Sequence, residues 1–395
     1  MINKFTVKSF KSLVSVQVDL GQVNVFIGAN GSGKSNLLEA IGVLGAAAYG
    51  RVDDESLLRR GVRPGLPQLY KAAFAGRRTS PHVSFGAHNA KARFDVSLLN
   101  PITDPKPAWR YKTEWLSGGQ GKSVGRSPNL RKKLNPEQGW AALKSVELNL
   151  KDPAVVLLSQ LRNFSIFCAN TPTLRGLAPE QQVREPVGLS GGRLPEAIAE
   201  IRRARLDDDW FKETFLEVLS LIDWAKNFGS AASATVPLSP SAAASQRVVR
   251  FIDRYMTRDR NVLTGYDASE GALYILFAAV LALHPKSPEF FAIDNLDQTL
   301  NPRLARRLGE YLCKWILNGK VERQILITAH NPSVLDGLPL TDDRVRLFTV
   351  DRNSRGHTVV NRVEVTDKLR AMAERERWPL SRLWVMGHIG GVPDV

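Results

Sequence analysis

The segment Gly28-Ala29-Asn30-Gly31-Ser32-Gly33-Lys34-Ser35 fits the phosphate-binding loop pattern G-x-x-x-x-G-K-[ST]. The apolar run 23–27 precedes it and predicts a buried strand, and 36–41 predicts the start of a helix. A strand, a glycine loop and a helix in that order form the context this motif requires. The alternative is a glycine turn with no ligand, and the full match with both flanks argues against it.

The residue types in this loop suit a nucleoside triphosphate. Glycines let the backbone turn tightly and present N–H groups to phosphate oxygens, and the helix start directs its positive dipole end to the same place. Lys34 would reach the β- and γ-phosphates, and Ser35 would ligate Mg²⁺. We therefore expect ATP and Mg²⁺ as cofactors, with an ATP-binding set of Gly28, Ala29, Asn30, Gly31, Ser32, Gly33, Lys34, Ser35 and Asn36.

Composition restricts the class of protein. The chain has 395 residues, 43% hydrophobic and 24% charged, which is typical of a globular protein with a sizeable core. It begins directly with strand-like alternation, so we expect no signal peptide, and its most apolar run, 272–283, is too short to span a membrane. Two distant cysteines without metal spacing predict a reducing, cytoplasmic location.

The net charge of +15 favours attraction to a polyanion, of which nucleic acid is the usual one. A solvated basic surface, or a basic face for an acidic protein, is the alternative.

Periodicity gives a coarse secondary structure. Alternation predicts a strand pair over 2–18 and antiparallel strands within 83–116, and another strand is predicted at 141–150. Segment 155–167 is compatible with helix or strand, and 193–228 is predicted to be helical. The stretch 229–245 is predicted to be a loop, 367–377 a helix and 382–395 a short tail.

Two segments near the C-terminal end resemble the rest of a nucleotide site. The apolar run 290–293 ends in Asp294, as in a Walker B strand, and would hold the Mg²⁺ of Ser35 through water. The next buried strand ends at His330, where a neutral imidazole could bond the γ-phosphate or the attacking water. A structural histidine is the alternative, and its position after a strand favours function.

A third segment, Ser269-Glu270-Gly271, starts an apolar helix and could bind an anion at the helix N-terminus. Two other segments, 116–120 and 189–192, match the sequence of the ABC signature more closely. We interpret both as glycine turns, because they lie far upstream of Asp294. A second phosphate loop ending at Ser123 fails because position 116 is leucine.

These residues resemble the RecF, SMC and OLD-type ATPases, a branch of the ABC class. The resemblance rests on Phe5-Thr-Val-Lys-Ser-Phe-Lys-Ser12, the phosphate loop, Asp294-Asn-Leu-Asp297-Gln-Thr-Leu300-Asn-Pro302 and Thr328-Ala-His330-Asn-Pro332, and covers roughly 1–48 and 262–350. It implies a compact ATPase that stands alone, because the chain has no long coiled coil, zinc hook or C-terminal Toprim-like acidic cluster.

The resemblance implies an α/β fold: a P-loop NTPase head of ABC type, with a mixed sheet, an antiparallel β-subdomain and a large α+β insertion. It divides the chain into an N-terminal lobe with Walker A (1–50), an insertion or lid (51–260), a C-terminal lobe (261–365), and a final helix and tail (366–395).

The resemblance also implies ATP sandwiched between two heads, in a homodimer or higher oligomer. One head would give its Lys34 side to a nucleotide, and the other would give its signature and D-loop residues, which are Ser269, Glu270, Gly271 and Asp297. The family also has a Q-loop glutamine, whose position in this sequence stays open. Gln68 and Gln160 are the two candidates.

One position departs from the family pattern. Asn295 stands where the family has a glutamate that polarises water, so the catalytic set is Asp294, Asn295 and His330. An amide orients water but cannot accept its proton, and losing a general base costs on the order of 10²–10⁴ in rate. We expect slow hydrolysis, with Asp297 as a partial substitute.

Three functions remain open at this stage. The first is an ATP-dependent switch that senses nucleic acid or a foreign protein and controls a separate effector, such as a nuclease, in bacterial anti-phage defence. The second is a RecF-like DNA-repair ATPase without a toxic partner. The third is a scaffold that binds ATP without useful hydrolysis. None of them requires a membrane.

Overall fold

The computed structural model describes residues 1–76, 78–118, 124–127, 135–145, 149–205, 208–239, 246–364, 366 and 375–390. Fifteen strands are grouped in three sheets in these ranges. They are β1 Lys4–Phe10, β2 Leu13–Asp19, β3 Val23–Ile27, β4 His82–His88, β5 Arg93–Leu99, β6 Arg110–Ser117, β7 Val124–Arg126, β8 Ile166–Phe167, β9 Ala225–Ala232, β10 Arg247–Asp253, β11 Val262–Thr264, β12 Phe290–Ile293, β13 Gln324–Ala329, β14 Val345–Arg352 and β15 Thr358–Val363.

Ten α-helices lie in the described ranges. They are α1 Lys34–Tyr49, α2 Asp54–Leu58, α3 Trp140–Lys144, α4 Pro153–Asn163, α5 Thr171–Leu174, α6 Leu194–Arg205, α7 Asp209–Leu221, α8 Glu270–Leu283, α9 Pro302–Leu317 and α10 Leu380–Val385.

The central sheet joins the two ends of the chain. Its strand order is β15-β14-β3-β13-β12-β8, and every pair is parallel except β14–β15. The N-terminal strand β3 thus lies between two C-terminal strands. Gln324 adds to this junction, because its side-chain amide exchanges two hydrogen bonds with the backbone of Ile2, at 2.7 and 3.0 Å.

Both faces of the central sheet are buried, as expected of parallel strands. Val23, Val25 and Ile27 pack into one core with α8 and α9, while Phe26 points into the other core, with α1 and α4. The carboxyl ends of β3, β12 and β13 meet at one edge, so the loops that follow these strands are neighbours.

A second, fully antiparallel sheet has the order β2-β1-β4-β5-β6-β7. Segment 51–260 supplies β4–β7 to this sheet and β8 to the central one, so it is hydrogen-bonded to both lobes of the head. A third sheet, β11-β10-β9, is also antiparallel. The mixed sheet with an antiparallel subdomain is therefore confirmed, and the domain boundaries stay a prediction.

Several local predictions are wrong. Segment 141–150 was expected to be a strand, but α3 occupies its start, because the carboxylate of Glu114 accepts hydrogen bonds from Trp140 N and Ala141 N and caps a helix there. The predicted helix 193–228 ends at Leu221, and β9 begins at Ala225 because it pairs with β10.

Other segments also differ from the sequence predictions. Strand β9 includes 229–232, which was expected to be loop, and α10 occupies part of the predicted tail. Segment 155–167 contains both alternatives, the helix α4 and the strand β8. The helix predicted at 367–377 lies almost wholly outside the described residues. Among the described residues, no helix is both long and apolar enough to cross a bilayer.

Candidate nucleotide-binding site

The phosphate loop connects β3 to α1, as the sequence predicts. Gly28, Gly31 and Gly33 all have positive φ, at 156°, 76° and 114°. A Cβ at Gly28 would lie 2.1 Å from the Val350 carbonyl oxygen, so the loop packs directly on β14. A Cβ at Gly31 would meet nothing within 4 Å. The tip of the loop is therefore open, while its two ends are fixed by packing.

Thr358 and Ser12 brace the loop from behind. The Thr358 hydroxyl is 2.7 Å from both the Ser32 carbonyl oxygen and Ser12 Oγ, and Asn36 Nδ2 donates to Ser12 Oγ at 2.8 Å. A Cβ at Gly33 would lie 2.2 Å from Thr358 Oγ1, so only glycine fits there. No local sequence signal indicates the contact of Ser12 with Thr358, because the two residues lie far apart in the chain.

Lys34 is buried and turned back onto the loop. Its Nζ donates to the carbonyl oxygens of Gly28 and Ala29 at 2.7 and 2.9 Å. Burial lowers the pKa of Lys34 to about 8, and the carboxylates of Asp294 and Asp297 oppose that shift. The ammonium is thus the charged group at the loop near neutral pH.

Ser35 meets Asp294 at the end of β12. Ser35 Oγ donates to Asp294 Oδ2 at 3.0 Å, and Thr328 Oγ1 donates to Asp294 Oδ1. Thr328 also accepts from Asn295 N at 2.8 Å. The hydroxyl of Thr328, at the end of β13, therefore fixes both residues that follow β12. Like Ser12 and Thr358, Thr328 has a role that no local sequence signal indicates.

His330 joins the two lobes. Its Nδ1 is 3.4 Å from Lys34 Nζ, and its Nε2 is 3.1 Å from Asn295 Oδ1. A lysine only donates and an amide oxygen only accepts, so both contacts suit a neutral ring with the proton on Nε2. Burial and the charge of Lys34 lower the pKa of His330, which keeps the ring neutral at pH 7.

Asp297 shapes the turn after β12. Its Oδ2 accepts from His330 N at 2.8 Å and also from Asn331 N, while its Oδ1 is buried without a partner in the described ranges. Asn295 and Thr299 in the same turn have positive φ, 56° and 66°. This carboxylate ties the Walker B turn to the end of β13.

The segment Ser269-Glu270-Gly271 lies apart from these residues. Ser269 caps α8 by accepting from Ala272 N at 3.4 Å, and Ser269 and Glu270 are exposed. In the described ranges, no hydrogen bond joins the segment to the phosphate loop. A Cβ at Gly271 would lie 3.4 Å from Leu300, which places the segment beside the turn that contains Asp297.

The two candidate glutamines lie on different elements, and Gln160 lies away from the site. Gln160 lies on α4 beside residues 285–289, which precede β12, whereas Asp294 follows the other end of that strand. Gln68 is in a short 3₁₀ turn, Pro67–Tyr70.

The residues present fit a triphosphate with Mg²⁺. The loop tip is open, and Ser32 Oγ is buried without a partner in the described ranges. The Ser35 hydroxyl and the Asp294 carboxylate lie side by side, and a hard cation such as Mg²⁺ prefers oxygen ligands of these kinds. No three His, Cys, Asp or Glu side chains of these ranges form a metal cluster of their own. Ser35 and Asp294 would therefore hold Mg²⁺ together with phosphate oxygens.

Comparisons with known proteins match the segments of the chain that contain these residues. Residues 1–56 match a family model described as an AAA ATPase domain. Residues 194–336 match one described as "AAA domain, putative AbiEii toxin, Type IV TA system". A DNA replication and repair protein RecF from Halothermothrix orenii is 37% identical over 71 residues, 18% of this chain and 19% of that protein.

Among solved structures, an Smc head bound to the C-winged helix domain of ScpA superimposes with a TM-score of 0.53 and 14% identity, covering 93% of this chain and 99% of that one. The two family-model matches, the RecF match and the Smc head fold together support a RecF/SMC-like ABC-class ATPase. The structural likeness shows that this chain has the fold of an Smc head. The matched segment makes up less than a fifth of this chain and less than a fifth of that RecF protein.

Proposed function

We propose that this chain is a RecF/SMC-like ATPase and works as a switch, in which two heads close on ATP and Mg²⁺ and reopen after slow hydrolysis. The observation that carries the proposal is the meeting of Ser35 and Asp294 at 3.0 Å beside the Lys34–His330 contact. These pairs place residues from the two ends of the chain around one phosphate loop.

Each residue has a role that its position supports. Backbone N–H groups of the loop and the Lys34 ammonium would hold the β- and γ-phosphates, and Ser35 and Asp294 would hold Mg²⁺, the latter through water. When bound, ATP supplies a phosphoanhydride bond whose cleavage makes the closed state transient.

Asn295 and His330 would position the attacking water. The Asn295 amide and the neutral imidazole can both hydrogen-bond water, but the amide cannot take its proton. The His330 ring is held between Lys34 and Asn295, so its proton stays on the nitrogen that faces Asn295. We infer that hydrolysis is slow because the turn after β12 has no glutamate.

A second head would complete the site. In the described ranges, Ser269, Glu270 and Gly271 make no hydrogen bond to the phosphate loop of their own chain, and Ser269 and Glu270 are exposed at a helix N-terminus. That arrangement suits binding to the nucleotide of a partner head. Asp297, in the adjoining turn, would link closure to the position of His330.

The proposed output is control of a separate effector, such as a nuclease, in bacterial anti-phage defence, within the cytoplasm. Two observations support it. One family model carries an AbiEii toxin description, and the net charge of +15 favours a nucleic-acid trigger.

A RecF-like role in DNA repair is the second candidate, and the 37% identity to a RecF protein over 71 residues favours it. Salt-sensitive DNA binding is expected of both. An effector nuclease that co-purifies from the native host and is activated by the ATP-bound protein supports the defence role. Loading of repair factors at DNA gaps without such an effector supports repair.

The direct test follows the mass of the protein in solution by light scattering, with and without ATP·Mg²⁺. We expect ATP-dependent dimers of the wild type, none with Lys34→Ala, and weakened dimers with Ser269→Arg, which leaves the phosphate loop intact. An unchanged monomer at saturating ATP would refute head closure. The matched control is Ser354→Arg, an exposed serine in the turn between β14 and β15.

A further inference from the structure

A basic cavity of about 460 Å³ lies at the C-terminal end of α1, between α2 and the end of α4. Helix α1 has 16 residues and the phosphate loop is at its other end, so the cavity is roughly 20 Å from the nucleotide site. Its lining contains five arginines, which are Arg51, Arg59, Arg60, Arg162 and Arg184.

The carboxylates of the lining neutralise only part of this charge. Arg51 pairs with Asp53, and Arg59 pairs with Glu55, both near the surface. In the described part of the chain, Arg60, Arg162 and Arg184 have no carboxylate within ion-pair distance. Three guanidinium groups thus share one cavity without a carboxylate counter-ion among the described residues.

These three arginines also cap helix ends. Arg60 donates to the Ser56 and Arg162 carbonyl oxygens at 2.7 and 3.0 Å, Arg162 donates to Ala48 O at 2.9 Å, and Arg184 donates to Asn163 O at 3.0 Å. Carbonyl dipoles are neutral overall, so they orient the guanidinium groups and leave their net charge in place. Arg162 also donates to Ala142 O at 3.3 Å and to Ser145 Oγ at 2.7 Å. Each guanidinium has five N–H donors, so at least two on each of the three arginines are left for a ligand.

Arg60 is the most deeply buried of the three arginines, and its burial costs the fold free energy. It is 5% exposed, and burial together with the charge of Arg184 lowers the pKa of Arg60 to about 10. Buried like charges destabilise a fold unless an anion accompanies them. A phosphate group, which accepts several N–H bonds at once, is the anion that arginine clusters recognise best.

The rim adds an aromatic surface. Tyr49 is 60% exposed, and its ring centre lies 5.4 Å from the guanidinium carbon of Arg60. An exposed ring beside a basic cavity offers a face on which a nucleobase can stack. The volume is in the range of small-molecule sites, which are about 300–1,000 Å³.

We propose that this cavity is a second, phosphate-recognising site that binds a nucleotide of mononucleotide size, independently of the ATP site. The phosphate lies against Arg60, Arg162 and Arg184, and the base stacks on Tyr49. Binding there would make the protein respond to the cellular concentration of that nucleotide, at a position distant from the phosphate loop.

The test measures binding of AMP and of pyrophosphate by calorimetry to the Lys34→Ala protein, in which the ATP site is disabled. We expect Arg184→Gln to weaken both ligands about tenfold, because it removes a half-buried guanidinium group. Tyr49→Ala should weaken AMP about fivefold and leave pyrophosphate unchanged. Arg203→Gln, an exposed arginine of α6 with the same charge change, should have no effect on either ligand.

Circular dichroism and thermal unfolding confirm that each variant is folded. Three results would overturn the proposal. One is the absence of AMP binding to the Lys34→Ala protein at millimolar concentration. Another is equal weakening by Arg184→Gln and Arg203→Gln, which would mean a diffuse charge effect. The third is Arg184-dependent binding of a six-nucleotide oligothymidylate together with no binding of AMP, which would mean that the cavity is part of a nucleic-acid-binding surface.

Discussion

Replacing Asn295 with glutamate tests the account of slow turnover. The Asn295 amide follows the Walker B strand, and its Oδ1 is 3.1 Å from His330 Nε2. A glutamate there extends one methylene further and supplies the carboxylate that the amide lacks. We expect Asn295→Glu to hydrolyse ATP about 10²-fold faster than the wild type, the lower end of what a general base supplies.

The backbone at this position limits the gain. Asn295 has φ of 56°, a left-handed conformation that asparagine tolerates better than glutamate. The glutamate variant should therefore lose about 1 kcal/mol of stability. The rate gain corresponds to about 2.7 kcal/mol of barrier, so acceleration should remain clear in a protein that is still folded.

The assay is steady-state phosphate release at saturating ATP·Mg²⁺, with urea unfolding to correct for the folded fraction. Asn295→Gln is the matched control, because it has the same length as glutamate and accepts no proton. A glutamate variant no faster than the wild type would refute the reasoning. Equal acceleration by glutamine would show that side-chain length, not proton acceptance, limits the rate.

Three further predictions concern the loop and its surroundings. Gly33→Ala should lower the free energy of unfolding in urea by about 3 kcal/mol, because its Cβ would clash with Thr358. Gly31→Ala should lower it by about 1 kcal/mol, because a Cβ at the loop tip meets no other atom. Equal losses would contradict this packing. Because the pKa of Lys34 is about 8, ATP affinity should fall up to about tenfold per pH unit above pH 8 in calorimetry. Lys34→Arg, charged throughout, should give a flatter profile, and a flat wild-type profile would refute the titration. Asp297→Ala should lower the free energy of unfolding by about 3 kcal/mol, because it leaves two backbone N–H groups without their acceptor. Asp297→Asn should lower it by less than half of that, because the amide oxygen can still accept from these groups. Thermal unfolding compares the two, and similar losses would contradict this role.

The parts of the site that the sequence predicts are those with local signals. The phosphate loop, the Walker B strand and the strand ending at His330 each combine an apolar run with a polar residue at its end. Parallel strands then place these ends at one edge of a sheet. The contacts of Ser35 with Asp294 and of Lys34 with His330 therefore follow from pattern and topology.

The parts that it does not predict depend on distant partners. Thr358 lies 346 positions from the Ser12 hydroxyl that it bonds, and no local signal announces that contact. Helix α3 forms because Glu114, on β6, caps it, and β9 is extended because β10 pairs with it. In these cases tertiary contacts override a weak local preference.

The most direct test of the account is a double-mutant cycle on Ser35 and Asp294, with Mg²⁺-dependent ATP affinity as the readout. One bound ion shared by the two side chains predicts that Ser35→Ala and Asp294→Asn each weaken the Mg²⁺ dependence, and that the double variant is little worse than either single one. Additive losses, or an Asp294→Asn protein that binds ATP·Mg²⁺ like the wild type, would show that the two ends of the chain do not form a single nucleotide site.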